Sequence, residues 1–154
     1  MTAAPAIAAD GVHRLVIRVY YEDTDAAGIV YHANYLKFAE RGRTEFLRRL
    51  GFEHRKMRQA TGLAFAVRHC RADYRKPARL DDELTVETRL AALGGASLEV
   101  EQAICRGGET LVRLDLRLAC LSADGRAARL PAELRAALAP FSRQASGVSD
   151  SHGL

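Results

Sequence analysis

The amino-acid sequence predicts an α+β domain in which one antiparallel sheet of about five strands wraps around a single long helix. Three observations predict this fold. A half-buried strand pattern occupies residues 13–21, a long amphipathic helical pattern runs from Asn34 to Gly51, and four strand patterns joined by tight turns follow. The chain has 154 residues, of which 48% are hydrophobic, so its length and composition suit one domain with a substantial core.

The first strand pattern is HRLVIRVYY, at residues 13–21. Apolar and polar side chains alternate along it, which is typical of a strand buried on one face. The predicted inward face carries Leu15, Ile17, Val19 and Tyr21, and the outward face carries Arg14, Val16 and Arg18.

At Asn34 the spacing of apolar residues changes to three and four, which predicts a helix of about four to five turns. We expect the Asn34 side chain to cap the start of this helix, and Gly51 to end it. The apolar positions are Tyr35, Phe38, Ala39, Gly42, Phe46, Leu47 and Leu50.

The segment EHRKMRQATG then predicts a short helix or a turn, and four strand patterns come after it. They are LAFAVRHCRADYRKP, which ends at Pro77, ELTVETRLAAL, SLEVEQAIC and TLVRLDLRLACL. The segments GGAS and GG separate the later ones as tight hairpin turns. PAELRAALAP predicts a short last helix with Pro131 in its first turn.

The domain is expected to span residues 12–140. The Ala- and Pro-containing residues 1–11 predict a flexible arm, and the small polar residues 141–154 predict a disordered tail. The opening MTAAPAIAAD has no basic residue before an apolar run, which argues against a signal peptide. No stretch approaches the roughly 20 apolar residues of a membrane span.

Charge and cysteine content narrow the function classes. The net charge of +4 fits a protein with anionic small-molecule ligands; it permits nucleic acid, but the scattered basic residues do not argue for it. Cys70, Cys105 and Cys120 are odd in number and lack CxxC spacing, so neither a disulfide framework nor a zinc site is expected. Three reduced thiols suit a cytoplasmic protein.

The string EDTDAAGIVYH, which ends just before the long helix, is the candidate site. Asp25 lies on a loop that leads to a helix start, where free N–H groups and the helix dipole favour developing negative charge. A carboxylate beside such donors is a minimal arrangement for acyl transfer. Gly28 allows a close backbone or ligand approach. The simpler interpretation is that Asp23 and Asp25 cap turns and that His32 only packs.

The longer string YEDTDAAGIVYHANYLKFAERGRTEFLR resembles the signature of the 4-hydroxybenzoyl-CoA thioesterase family of hotdog-fold enzymes. It is most similar to the Tol-Pal-associated acyl-CoA thioesterase branch of that family. The segments DYRKPARLDDELTVETRL and SLEVEQAI resemble later strands of the family, so the similarity covers roughly residues 13 to 139.

This resemblance implies a role for each matching residue. Asp25 is the implied catalytic carboxylate, as nucleophile or as general base. The backbone N–H of His32 is the implied donor that polarises the thioester carbonyl, and Gly28 keeps the loop near it. Tyr21 and Tyr31 are implied to orient groups near the site.

The expected function is therefore hydrolysis of acyl-CoA to free acid and CoA, with no metal and no bound cofactor. The resemblance also implies a homodimer or homotetramer. Esters of acyl carrier protein are further candidate substrates. The implied location is the cytoplasm, with peripheral association at the inner membrane as the second possibility. Two alternatives remain: a hotdog enoyl-thioester hydratase or dehydratase, and a non-catalytic scaffold that binds acyl carrier protein or lipid-synthesis enzymes.

Overall fold

The structure is a computed structural model that describes residues 6–143. The strands are β1 (His13–Arg18), β2 (Ala64–Tyr74), β3 (Glu83–Leu93), β4 (Ser97–Arg106) and β5 (Glu109–Leu121). The helices are α1 (Asn34–Arg49), α2 (His54–Thr61) and α3 (Ala132–Leu138), with short 3-10 helices at Tyr21–Asp23 and Ala139–Phe141.

The five strands form one antiparallel sheet in the order β1-β3-β4-β5-β2. Three hairpin-connected strands form its centre, and β1 and β2 are its edges. Helix α1 packs against β1, β3 and β4. The predicted α+β class, with about five strands around one long helix, is confirmed.

Helix α1 begins differently from the prediction. Asn34 is its first helical residue, Ala33 stands at the cap position, and no side chain caps the start. The Asn34 side chain is buried and donates instead to Asp23. The prediction that Asn34 caps the helix is therefore wrong, because Asn34 stands one residue past the cap position and its side chain turns to the buried Asp23 carboxylate.

The end of α1 agrees with the prediction for Gly51. Gly51 has a φ of 90°, its N–H donates to Arg48 O, and the next N–H, of Phe52, donates to Leu47 O. These two hydrogen bonds form a Schellman motif, in which a left-handed glycine satisfies the last carbonyls of a helix.

Two apolar clusters fill the space between α1 and the concave face of the sheet. The first lies near the start of α1 and includes Val30, Tyr35, Phe38, Val86, Ile104 and Val112; the second lies near its end and includes Phe46, Leu47, Leu90, Leu118 and Leu134. The predicted inward face of the last strand pattern is confirmed, since Val112, Leu114, Leu116, Leu118 and Cys120 are all buried.

Gly42 lies where α1 closely approaches the sheet. A Cβ atom at this position would lie 2.6 Å from Val86 Cγ1, so no larger residue fits without displacement. Beside it, the buried Gln102 amide donates to Ala39 O (2.8 Å) and to Thr88 Oγ1 (2.9 Å). Its oxygen accepts from Arg43 Nη1 at 3.0 Å. A satisfied polar network therefore lies under the middle of α1.

The chain ends make contacts close to the predicted domain boundaries. Ile7 forms a β-bridge with His13 and packs on the second cluster. Ser142 is buried, and the Phe141 ring packs against Phe46. Residues 6–11 of the predicted arm (1–11) and residues 141–143 of the predicted tail (141–154) are thus described, while the rest of both segments lies outside the described residues.

Candidate active site

The loop that carries Asp25 is a tight turn closed by backbone pairing. Thr24 and Val30 form a β-bridge, Asp25 N donates to Ile29 O (2.9 Å), and Gly28 N donates to Asp25 O (3.0 Å). Gly28 has a φ of 78°, a conformation that glycine adopts without strain. This turn geometry, rather than crowding, requires the glycine, since nothing lies within 4 Å of a Cβ built there.

Asp25 is exposed, and its carboxylate accepts a hydrogen bond from Ala27 N at 2.9 Å. The carboxylate is therefore held locally by its own turn. Its second oxygen has no hydrogen-bond donor within residues 6–143. The group combines a fixed position with an accessible oxygen, as a catalytic carboxylate requires.

Asp23 occupies a different environment, because it is only 6% exposed. Its Oδ2 accepts from Tyr20 N at 2.8 Å, and its Oδ1 accepts from Asn34 Nδ2 at 2.9 Å. Its backbone oxygen also accepts from Tyr31 N at 2.9 Å. Asp23 therefore ties the loop to the first residue of α1.

His32 lies immediately before α1, between two tyrosine side chains. Its ring is 4.5 Å from the Tyr31 ring and 6.3 Å from the Tyr74 ring. Its carbonyl oxygen accepts from Tyr74 Oη at 3.1 Å. Within the described residues, no acceptor contacts the backbone N–H of His32, which lies one residue before the cap position of α1.

A cavity of about 280 Å³ opens at this helix start. Tyr35 and Tyr74, whose rings are 5.8 Å apart, form part of its wall. Burial raises the pKa of Tyr35, partly offset by the hydrogen bond that its hydroxyl accepts from Ala78 N. The remaining lining residues are Ile29, Val30, His32, Arg75, Lys76 and Pro77.

A larger cavity of about 660 Å³ lies between α1, α2 and β2. Burial lowers the pKa of Arg43, which lines this cavity, and no carboxylate within residues 6–143 lies at ion-pair distance from it. Burial also lowers the pKa of His54 on the opposite wall. Arg55 and Arg58 add two more cations, with Glu40 as the acidic residue, so the cavity is a basic groove.

Residues 19–138 of the chain match the sequence model of the thioesterase-like superfamily. It belongs to that family. The matched region contains the Asp25 loop, α1 and all four strands that follow. The sequence-based prediction of a thioesterase family is confirmed. The prediction that the protein is a thioester hydrolase is confirmed by this family membership.

Individual relatives agree with this membership. The chain is 46% identical over 105 residues to the acyl-CoA thioesterase YbgC of Haemophilus influenzae, covering 68% of this chain and 77% of the relative. It is also 46% identical over 99 residues to the acyl-CoA thioester hydrolase YbgC of Escherichia coli, covering 64% and 73%.

A solved structure shows the same fold. The probable thioesterase from Bartonella henselae is 41% identical, with a TM-score of 0.76, and the alignment covers 78% of this chain and 99% of that one. The predicted hotdog fold of this thioesterase-like protein is confirmed.

The structure places the predicted site residues of this family member in two neighbouring stretches of one loop, and of these residues His32 lines the 280 Å³ cavity. Gly28 shapes the turn that holds Asp25, while Tyr31 and His32 are in ring contact before α1. Tyr21 departs from the prediction of an inward-facing strand residue. It lies in a 3-10 helix and is 83% exposed, because β1 ends at Arg18 and the chain turns.

The sequence analysis did not predict the contact of Tyr74 with His32 or the burial of Asp23. Tyr74 lies far along the chain, inside a strand pattern that gives no hint of contact with His32. A local cue is its place in DYRKP, at the end of the strand and three residues before Pro77, but this place does not indicate a partner.

Two further observations concern other classes of site. No group of His, Cys, Asp or Glu side chains in the described part of the chain is arranged to hold a metal ion. None of the helices between residues 6 and 143 is both long enough and apolar enough to cross a bilayer.

Proposed function

We propose that the protein hydrolyses the thioester of acyl-CoA to free acid and CoA, with Asp25 as the catalytic carboxylate. The observation that carries this proposal is the accessible Asp25 carboxylate, which lies on a turn that Asp23 ties to the start of α1. Just before α1, the His32 N–H has no acceptor in residues 6–143. The printed functions of the relatives from Haemophilus influenzae and Escherichia coli support the substrate class.

The reaction follows one of two routes from this arrangement. In the nucleophilic route, an Asp25 oxygen attacks the carbonyl carbon, the C–S bond breaks, CoA leaves as a thiolate that takes up a proton, and water hydrolyses the anhydride. In the general-base route, Asp25 takes a proton from water, the hydroxide adds to the carbonyl, and the proton passes to the leaving thiolate. In both routes the His32 N–H stabilises the oxyanion.

The first test is release of free thiol from a series of acyl-CoA esters, from short aliphatic to long aliphatic and aromatic chains. Release of CoA from saturated chains is the expected result. Absence of release together with hydration of an enoyl-CoA would support a hydratase instead. Absence of both reactions, with retained binding of acyl carrier protein, would support a scaffold.

Replacement of His32 by Ala is expected to keep a substantial part of kcat, at least about one tenth of wild type. The reason is that the proposed donor is the backbone N–H, which the substitution leaves in place. Thiol release measured across substrate concentrations checks this result. A loss as large as that of an Asp25 variant would show that the imidazole itself takes part in the chemistry.

We propose further that the active form is at least a homodimer joined through β2. Within the described chain, β2 has one neighbouring strand, β5, so its other edge is unpaired. Natural sheets cover or pair such edges. The basic groove also runs along β2, so a second subunit there would exclude water and strengthen each electrostatic contact.

Two exposed valines on opposite edges of the sheet provide a matched test. Val67 on β2 is 49% exposed and Val16 on β1 is 58% exposed. Val67→Lys is expected to shift the mass in sedimentation toward the monomer and to lower specific activity on dilution, whereas Val16→Lys leaves both near wild type. A wild-type monomer with full turnover would contradict the shared-site proposal.

Two finer points belong to the same proposal. Esters of acyl carrier protein are tested beside the CoA esters, and release of free thiol is measured in the same way for both.

We place the reaction in the cytoplasm, with peripheral association at the inner membrane as the second location, because all three cysteines are free thiols. Cell fractionation followed by immunodetection of the full chain distinguishes the two locations.

A further inference from the structure

We propose that Tyr74 is a positioning residue for thioester hydrolysis, whose hydroxyl fixes the peptide group between His32 and Ala33 and thereby orients the Ala33 N–H, a second donor next to the proposed His32 N–H before α1. The inference rests on the proposed function, since those donors matter only if an oxyanion forms there. It assigns a role to a residue on the edge strand, remote in sequence from the Asp25 loop.

The geometry begins with one hydrogen bond. Tyr74, the last residue of β2, donates from Oη to His32 O at 3.1 Å. Its ring packs edge-on against the His32 ring at 6.3 Å and against the Tyr35 ring at 5.8 Å. Tyr35 is fully packed in the core and accepts from Ala78 N at 2.9 Å. Tyr74 is 46% exposed, and its ring contacts a core residue, Tyr35, that is held in place.

The bond acts on a peptide that needs a fixed orientation. In a trans peptide the carbonyl and the N–H point in opposite directions, so holding His32 O also aims the N–H of Ala33. Neither the His32 N–H nor the Ala33 N–H has an acceptor within residues 6–143. A hydrogen bond to the carbonyl also polarises the N–H of the same peptide, which makes it a better donor.

Two further features agree with a donor role for this hydroxyl. Burial raises the pKa of Tyr74, and the neighbouring Cys70 raises it further, so the hydroxyl keeps its proton at neutral pH. Tyr74 is also part of the wall of the 280 Å³ cavity, together with His32, so the bond lies beside the space where a thioester would enter.

The other explanation is that Tyr74 only contributes its ring to the packing of this cavity. Tyr74→Phe separates the two explanations, because it keeps the ring and removes the hydroxyl. We expect kcat to fall about three- to tenfold, which corresponds to loss of one ordinary hydrogen bond, while KM stays within about twofold. The melting temperature should stay within about 2 °C of wild type, because the ring contacts remain.

Tyr20→Phe is the matched control, since it removes the hydroxyl of an exposed tyrosine near the same loop. It is expected to leave kcat, KM and melting temperature unchanged. A second readout is independent of turnover. In ¹⁵N-labelled protein, the amide resonances of His32 and Ala33 should shift in Tyr74→Phe, whereas those of α2 should not move.

The outcomes separate this inference from the proposed function. Wild-type kcat in Tyr74→Phe, or unshifted amides at His32 and Ala33, would overturn the role of Tyr74 and leave thioester hydrolysis standing. A fall in melting temperature with KM and kcat both altered would show a structural role and would also overturn it. A wild-type protein that releases no thiol from any acyl ester would overturn the proposed function, and the inference with it.

Discussion

Replacing Asp25 by Asn is expected to lower kcat by about 10²–10⁴, the range for a positioned acid–base group. The substitution keeps the size of the side chain and its acceptor oxygen, so the hydrogen bond from Ala27 N can persist. It removes the negative charge that attacks the carbonyl or takes the proton from water. Steady-state thiol release gives kcat, and thermal unfolding shows whether the fold is unchanged.

The control is a second exposed acid in the same loop. Glu22→Gln also removes one negative charge, but the Glu22 side chain makes no hydrogen bond or ion pair in the described part of the chain. It should keep turnover near wild type. An Asp25→Asn protein with turnover close to that of Glu22→Gln would show that another group performs the chemistry.

The fold was accessible from the sequence because its hydrophobic spacing is regular. The pattern ELTVETRLAAL matches β3 residue for residue, at Glu83–Leu93. Alternation along β5 and the three- and four-residue spacing along α1 were equally clear, since each element buries one face against one core. Gly51 was predictable for a local reason, because a glycine after a helical pattern favours a left-handed end.

The details of the site depended on contacts that sequence spacing cannot show. Asp23 and Asp25 stand two residues apart in one polar string, yet the first is buried and the second is exposed. Which of them turns inward depends on the Asn34 amide, and that pairing crosses from the loop to the helix. The local preference of Asn for helix starts predicted that Asn34 is a cap, whereas in the structure its side chain pairs with Asp23.

The same limit applies to Arg43 and Tyr74. Arg43 appears in the sequence as one polar residue on an amphipathic helix, but it reaches under the helix to Gln102, a residue of β4. Tyr74 reaches the His32 carbonyl from the end of β2. Both contacts require the sheet to curve around α1, so only the assembled fold brings these residues together.

Replacing Asp23 by Ala is expected to have the second large effect, mainly on the free energy of unfolding. The buried carboxylate accepts from Tyr20 N and from Asn34 Nδ2, and its removal leaves the buried Asn34 amide and the part-buried Tyr20 N–H without their acceptor. A buried unsatisfied donor costs about 1–3 kcal/mol, so we expect a loss of about 2–4 kcal/mol in the free energy of unfolding. For a chain of this size, this corresponds to a melting temperature lower by roughly 5–15 °C.

The pairing of Asp23 with Asn34 is tested by a double-mutant cycle on the free energy of unfolding. If the two side chains stabilise each other, Asn34→Ala should cost less in the Asp23→Ala background than in wild type, with a coupling of about 1 kcal/mol or more. Because Asp23 ties the loop to the start of α1, turnover should also fall at temperatures where the variant remains folded. Strictly additive losses, or an Asp23→Ala protein as stable as wild type, would show that the loop is held to the helix by other contacts, such as the bond from Tyr31 N to the backbone oxygen of residue 23.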